Sequence, residues 1–324
     1  MYLTELVSHQ LLYKLTAVIL SSILALTLAS LFGRPPYLEL TTHFRLQYAL
    51  AALGCAGMLI ALHSWKLLLI AVCCALYNLA YFVPYYFSKP TPDIKSSAAS
   101  LRLLQVNLLL SNENYETLLV AATEADADVI VLQELTEECW KHIGILAEHY
   151  PHIEALPRPG GSGMAILSRY PLEEAKTLTL DASNHIALLV QVNVASASVT
   201  ILALHPPTPV SSASFTNRNR QFHEAGDILK SLKGPRILIG DLNTTMWSPY
   251  FTDLISRSGL RDARLGFGLR TSWPMPLPWF LRLPIDHCLV SDDIIVDRVQ
   301  LGRRTGSDHR SLIVDVKFGK ASTE

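Results

Sequence analysis

The sequence predicts an α/β domain preceded by membrane-spanning helices, and three observations carry that prediction. The first is how unevenly charge is spread. The chain has 324 residues with 27 basic and 28 acidic side chains, and only 17% are charged, against roughly 25% in an average soluble domain. Residues 1–88 hold just six of these: Glu5, Lys14, Arg34, Glu39, Arg45 and Lys66. The second is a set of three uncharged stretches in that segment. The third is a series of short apolar runs after residue 100, each ending in a polar residue and separated by helical patterns. A uniform globular protein, a disordered chain and a collagen-like repeat are excluded. The balance of 23 basic against 26 acidic groups in residues 89–324 also argues against a strongly basic nucleic-acid binder.

The uncharged stretches are Leu15–Gly33, Leu46–Trp65 and Leu67–Ser88, of 19, 20 and 22 residues. A bilayer core of roughly 30 Å needs about 20 helical residues, because no water is present to satisfy the backbone. Three transmembrane helices over 15–33, 46–65 and 67–88 are therefore expected, making a multi-pass integral membrane protein. Arg34-Pro35-Pro36 closes the first, Lys66 separates the second from the third, and Tyr81, Phe82, Tyr85, Tyr86 and Phe87 form an interfacial aromatic belt at the end. Loop charges (Lys14 and Lys66 against Arg34, Arg45, Lys89 and Lys95) tip toward a cytoplasmic domain by two, too few to decide the side. Cysteine spacing adds nothing, as no CxxC occurs. Residues 89–100, KPTPDIKSSAAS, read as a tether. A soluble domain over 101–318 and a tail over 319–324 complete the expected organisation.

Within 101–318, runs of four to seven aliphatic and β-branched residues predict buried strands. LRLLQVN ends at Asn107, DVIVLQE at Gln133-Glu134, and SVTILALH at His205. RILIGDLN runs into Asp241 and Asn243, PIDHCLVS contains Asp286 and His287, and Ser307-Asp308-His309 precedes SLIVDVKF. Helical patterns fill the gaps at Tyr115–Ala125, Thr136–His149 and Ser214–Leu232, the last with Phe215, Phe222, Ala225, Leu229 and Leu232 on one face. Ligands in α/β architectures bind beyond strand ends, and here the strand ends supply acids, amides and imidazoles with no Lys or Arg among them. Such oxygen donors suit a hard cation such as Mg²⁺.

In this order Asn107, Gln133-Glu134, GSGMAILSR (Gly161–Arg169), His205-Pro206, GDLN (Gly240–Asn243), IDHCLVS (Ile285–Ser291) and SDHRSL (Ser307–Leu312) resemble the endonuclease/exonuclease/phosphatase superfamily. The chain looks like a membrane-anchored, bacterial-type member of its deoxyribonuclease-I-like and exonuclease-III-like branch. The resemblance covers about residues 101–318. It implies a four-layer α/β sandwich, two packed mixed β-sheets flanked by helices, and Mg²⁺- or Mn²⁺-dependent phosphoester hydrolysis. It makes Glu134 the principal metal ligand, with Asp308 and Asn107 on the metal side. Asn107 and Asn243 fall at substrate- or water-binding positions. Asp241 aligns or deprotonates the attacking water, His309 stabilises charge on the phosphoryl group, Asp286 holds His309, and His205 contacts the phosphate. His287, beside Asp286, is read as structural, and Gly160–Gly163 as a turn, because GxxxxGK[ST] is absent.

The substrate class stays open at this level: nucleic acid, inositol phosphate or a phospholipid head group. The bilayer, through the N-terminal helices, is the other expected partner, and no protein partner is inferable. Nine arginines (Arg218, Arg220, Arg261, Arg264, Arg270, Arg282, Arg303, Arg304 and Arg310) are positioned in the sequence to supply a local basic patch. The segment Arg261–Pro284, rich in Trp, Pro, Phe and Leu, suits a bilayer contact, an apolar wall of the site, or packing on the domain's own core. The competing class is a catalytically inactive, membrane-anchored binding module of the same fold, which predicts a broken ligand set.

Overall fold

The computed structural model describes residues 2–87, 99–195 and 197–319. The chain divides into two compact units, Met1–Pro84 with Trp247–Pro249, and Tyr85–Met246 with Tyr250–Glu324.

The first unit is helical. Helix α1 (Tyr2–Ala29) runs into a 3-10 turn at Ser30–Phe32, and α2 (Pro36–Thr42) starts on a proline, whose fixed φ suits a first helical position. Helices α3 (Arg45–Ala61) and α4 (Trp65–Ala80) follow, and a short α5 (Val83–Phe87) begins in this unit and ends in the second. Two segments, Val7–Phe32 and Pro36–Ala61, are long and apolar enough to cross a membrane, each of 26 residues. The third expected span differs from the structure. Its helix stops at Ala80 after 16 residues, about 24 Å at 1.5 Å per residue, short of a bilayer core of roughly 30 Å. A turn at Tyr81-Phe82 separates it from α5, and Ser88 lies outside the described residues. Arg45, placed in a loop by the sequence reading, is buried: it donates to Asn78 Oδ1 (3.2 Å) and stacks on the Tyr81 ring at 4.2 Å.

The second unit holds two six-stranded sheets. Strands β1 (Ala99–Asn107), β2 (Val129–Gln133), β3 (His152–Leu156), β4 (Met164–Ser168), β11 (Ile294–Arg304) and β12 (Arg310–Phe318) form one, ordered β11-β12-β1-β2-β4-β3. Strands β5 (Leu172–Leu178), β6 (Ala187–Val194), β7 (Ala197–Leu204), β8 (Arg236–Asp241), β9 (Arg261–Asp262) and β10 (Asp286–Val290) form the other, ordered β5-β6-β7-β8-β10-β9. Helices α6 (Tyr115–Ala125), α7 (Glu137–Ile143), α8 (Ser212–Ser231) and α9 (Pro249–Ser258) complete the chain. Both sheets are mixed, with β1–β2 and β7–β8 parallel. This is the expected sandwich. Most of the tether, residues 89–98, and tail residues 320–324 lie outside the described residues, and β1 already begins at Ala99.

The period of two along each strand decides what the sheets bury. On β1, Leu101 and Leu103 join Val129 and Val131 of β2 and Ile201, Ile237, Ile239 and Cys288 of the opposing sheet in one core. The alternate row, Leu104, Val106, Ile130 and Leu132, packs under α6 and α7 with Leu118, Ala122 and Ile143. At one end of the sandwich the inward row changes character: Gln105 and Asn107 continue it on β1, Gln133 on β2, His205 after β7, Asp241 on β8 and Asp286 on β10. All six are buried.

Candidate active site

These polar row ends converge. Asp286 lies directly opposite Asp241 in the β10–β8 ladder, and Asn107 opposite Gln133 in the β1–β2 ladder. Asn107 Nδ2 donates to Glu134 Oε1 at 2.9 Å and to Asp241 Oδ2 at 3.0 Å, joining two carboxylates through one amide. His205 Nε2 stands 3.9 Å from Glu134 Oε1 and 3.7 Å from Asp241 Oδ2. His309 Nε2 reaches the same Asp241 oxygen at 3.7 Å, and its Nδ1 donates to Asp286 Oδ2 at 2.9 Å.

Two side chains arrive there through unusual backbone. Strict alternation sends Glu134 to the helix face, but its φ of 59° turns the chain left-handed and redirects the carboxylate. Left-handed non-glycine residues cost about 1–3 kcal/mol and persist where surrounding bonds hold them. Here Asn107 Nδ2 and the Leu110 N–H (2.8 Å to Oε2) do so. Asn243 has φ 49°. Gly240 must be glycine: a Cβ there would lie 2.0 Å from the Leu204 carbonyl oxygen and 2.3 Å from Gln133 Nε2.

Beneath the cluster is a fully buried amide relay that the sequence reading did not assign. Gln105 Nε2 donates to Asp286 Oδ1 (2.8 Å) and to Gln133 Oε1 (2.9 Å). Gln133 Oε1 also accepts from the Asp241 N–H (2.9 Å), and its Nε2 donates to the Leu204 carbonyl (2.8 Å). The signal was present: a glutamine within each apolar inward row. Two other neighbours left no such trace. Trp273 Nε1 donates to Asp308 Oδ2 at 2.8 Å, and one His185 ring nitrogen lies 3.0 Å from the His205 carbonyl.

Not every expected residue meets the cluster equally. Asn243 gives its N–H to Asp241 Oδ1 (2.8 Å), but its side chain donates to the Pro206 carbonyl and accepts from Thr208. Asp308 lies on the His309 side, 4.0 Å from Nε2, with its other oxygen taken by Trp273. Asn107 directs its NH₂ group at the carboxylates, while Oδ1 accepts from the Leu109 N–H at 3.0 Å. His287 points away: it bonds the Thr244 carbonyl (2.8 Å) and Arg264 and packs on Phe251.

The electrostatics separate the groups by role. Burial pushes the Asp241 carboxyl up to about 7 against the pull of His309. Burial would lower His309, but Asp286 and then Asp241 outweigh it and raise the imidazole to about 10. Asp286, despite burial, is held below the usual carboxylate range by His309. Burial lowers His205, with Glu134 opposing. The site therefore presents, near neutral pH, an imidazolium, a neutral imidazole and a carboxyl poised between its two forms.

Asp241, Asp286 and His309 together have the proximity of a metal site, but the chemistry argues otherwise for two of them. A protonated imidazole is no ligand, and both Asp286 oxygens are engaged, by His309 and Gln105. Within the cluster, Glu134 and Asp241 accept hydrogen bonds only from neutral N–H donors and share the Asn107 amide. Oxygen ligands of this kind fit a hard divalent cation.

Two mixed sheets with helices outside and a buried acid–imidazole cluster at one end define an α/β-sandwich protein with its polar site at one edge of the sandwich. The model of the Endonuclease/Exonuclease/phosphatase family matches residues 97–309, and the chain belongs to that family, whose members hydrolyse phosphoesters. No curated protein matches the chain significantly. Among solved structures it is similar to Danio rerio TDP2 complexed with single-strand DNA product, at 16% identity and TM-score 0.58, covering 67% of this chain and 98% of that one. It is similar to an endonuclease/exonuclease/phosphatase family protein from Bacteroides thetaiotaomicron (17%, TM-score 0.57, 69% and 99%). A third is an endonuclease/exonuclease/phosphatase from Beutenbergia cavernae (19%, TM-score 0.53, 70% and 73%). At these identities the likeness is one of fold.

Proposed function

We propose that this protein is a membrane-anchored, divalent-metal-dependent phosphoester hydrolase. The observation that carries the proposal is the meeting of Glu134, Asp241, His205 and the His309–Asp286 pair around one point, joined by the Asn107 amide. Glu134 would hold Mg²⁺ or Mn²⁺, with Asp308 and Asn107 as flanking candidates. The bound ion supplies Lewis-acid polarisation of a phosphoryl oxygen.

The chain's own groups do the rest. Asp241, with a carboxyl raised toward neutrality, orients the attacking water and takes its proton, since a base works best near the operating pH. The Asn243 N–H bond to Oδ1 leaves the second carboxylate oxygen, Oδ2, facing the histidines. His309, held as imidazolium by Asp286, offers Nε2–H to the charge developing on the phosphoryl group. Preorganised donors of this kind are worth on the order of 10²–10³ in rate each. His205, neutral and buried, donates or accepts at the phosphate.

Anchoring rests on the two 26-residue apolar segments. Such an anchor would hold the catalytic unit near a bilayer, which favours a phosphorylated head group over duplex nucleic acid as the substrate class. The structures of TDP2 with DNA product keep nucleic acid in the panel.

The test uses the full chain in detergent, assayed against DNA, RNA, inositol phosphates and phospholipids with Mg²⁺, Mn²⁺ or EDTA. Turnover of at least one class with either metal, abolished by EDTA, is expected. Absence of turnover throughout would refute the hydrolase assignment.

A further inference from the structure

The second unit exposes one run of large apolar side chains. Leu277, Trp279, Phe280 and Leu281 are 40, 62, 38 and 41% exposed, and they fall within five consecutive residues. After residue 100, the other large apolar side chains exposed among the described residues are Leu110, Val120, Ile145 and Val210, each standing alone in the sequence. Single ones are ordinary on a soluble surface, whereas a contiguous group marks a contact with protein or lipid.

The run is a built turn. Trp273 and Leu283 pair across its base. Met275, Leu277, Leu281 and Arg282 give their N–H groups to the carbonyls of Asp308, Pro274, Pro278 and Trp279 (2.7, 3.1, 2.9 and 3.3 Å). Pro274, Pro276 and Pro278 have no N–H to satisfy. Arg282 covers the carbonyls of Leu277 (2.6 Å) and Met275 (3.1 Å), and Thr271 Oγ1 covers that of Trp279 (3.0 Å). A turn facing water needs none of this. One entering the acyl boundary of a bilayer does, because no water is there to pair its backbone. Tryptophan at its tip has the amphipathic ring that concentrates at membrane–water interfaces.

The place of the turn within its unit favours a bilayer over a second protein. The Gly268 N–H donates to the Tyr85 carbonyl at 2.7 Å, and a Cβ on Gly268 would lie 3.3 Å from the Tyr86 ring. Tyr85 and Tyr86 are the residues with which the chain enters this unit from the apolar helices. Tyr86 and Phe87 are themselves exposed. Thr271, which holds Trp279, follows Gly268 by three residues, at most about 11 Å of chain. The apolar turn is thus tied, through its own unit, close to the point where the chain leaves its apolar segments.

We propose that the turn at residues 277–281 docks into the interfacial layer of the bilayer that anchors the chain, with Trp279 as its deepest side chain. This rests on the membrane-anchored reading above. The base of the turn is bonded to the site: the Met275 N–H holds the Asp308 carbonyl (2.7 Å) and Trp273 Nε1 holds Asp308 Oδ2 (2.8 Å), beside His309. Docking the turn therefore presents that rim of the site to the lipid surface.

The test uses the full chain in phosphatidylcholine nanodiscs, with and without lipid that carries a doxyl quencher near the head group. Subtracting the emission of Trp279→Phe from that of wild type isolates Trp279. Subtracting that of Trp65→Phe isolates Trp65, at the start of α4 in the helical unit. Emission from Trp279 should fall by about half in the doxyl discs, as for a ring seated at the head-group boundary. Unquenched Trp279 beside quenched Trp65 would overturn the docking and leave the anchor standing. No quenching of either would sink the anchor reading and the docking with it. Moving the reporter by combining Trp279→Phe with Leu281→Trp should restore a quenched emission, and an unquenched one would contradict docking of the turn as a whole. Unquenched Trp279 together with a detergent-solubilised dimer that Trp279→Ala dissociates would assign the turn to a second copy of the chain, against the proposal.

Discussion

His309 and Asp286 form a buried pair in which Nδ1 lies 2.9 Å from Oδ2, while Gln105 caps the carboxylate's other oxygen at 2.8 Å. Both residues are at most 5% exposed, so the charge on each depends on the other. Removing the histidine outright would strand a carboxylate in the core. Isosteric changes are therefore the informative ones.

Asp286→Asn removes the charge that raises His309. The imidazole should then titrate well below its value of about 10, followed through its Cε1–H resonance. Hydrolysis should fall on the order of 10²–10⁴-fold in kcat. An unchanged titration would show that Asp286 does not set the state of His309.

Gln105→Ala leaves Asp286 Oδ1 without its donor and breaks the link to Gln133. An unsatisfied buried acceptor costs about 1–3 kcal/mol. Denaturant unfolding should show that loss, and a midpoint within error of wild type would deny the relay a structural role.

Gly240→Ala meets backbone as well as side chain, with the Leu204 carbonyl oxygen 2.0 Å from the new Cβ. Because φ is 154° there, the strand end must shift, and a loss of about 3 kcal/mol or more is expected. Near-wild-type stability would mean that the β7–β8 approach relaxes freely.

His287 is buried, and burial followed by Arg264 holds it well below its ordinary value. The unfolded chain then binds the extra proton as pH drops below about 6.5. Stability should be full above that pH and decline below it. His287→Gln should flatten the fall in Tm between pH 6.5 and 5; parallel curves for the two proteins would exclude His287 as the source.

Much of this was legible in the sequence, for physical reasons that differ by element. Interior strands such as Val129–Gln133 and Arg236–Asp241 bury both faces, so their apolar runs are unbroken and easy to read. The strands that escaped notice include all three longer edge strands, His152–Leu156, Leu172–Leu178 and Ile294–Arg304. Leu172–Leu178 carries charges and is mostly exposed, as edge strands are. Ala187–Val194 lies inside its sheet and was passed over although its run is apolar. The helix expected over Thr136–His149 breaks at Gly144 into a 3-10 turn.

At the site, residue types at strand ends marked Asp241, His309 and Asp286. The left-handed turn at Glu134 and the reach of Trp273 to Asp308 are tertiary facts with no local signature. In the segment Arg261–Pro284, Leu269, Met275 and Leu283 pack inside as the core reading expects, whereas Trp279, Phe280 and Leu281 are exposed.

The most direct measurement is single-turnover hydrolysis by the full chain with saturating Mg²⁺, comparing wild type with Asp241→Asn and His309→Gln at matched Tm. Rates reduced at least about 100-fold in both variants are the predicted result. Equal rates in all three proteins would mean that the carboxylate and imidazole meeting at Asn107 perform no chemistry.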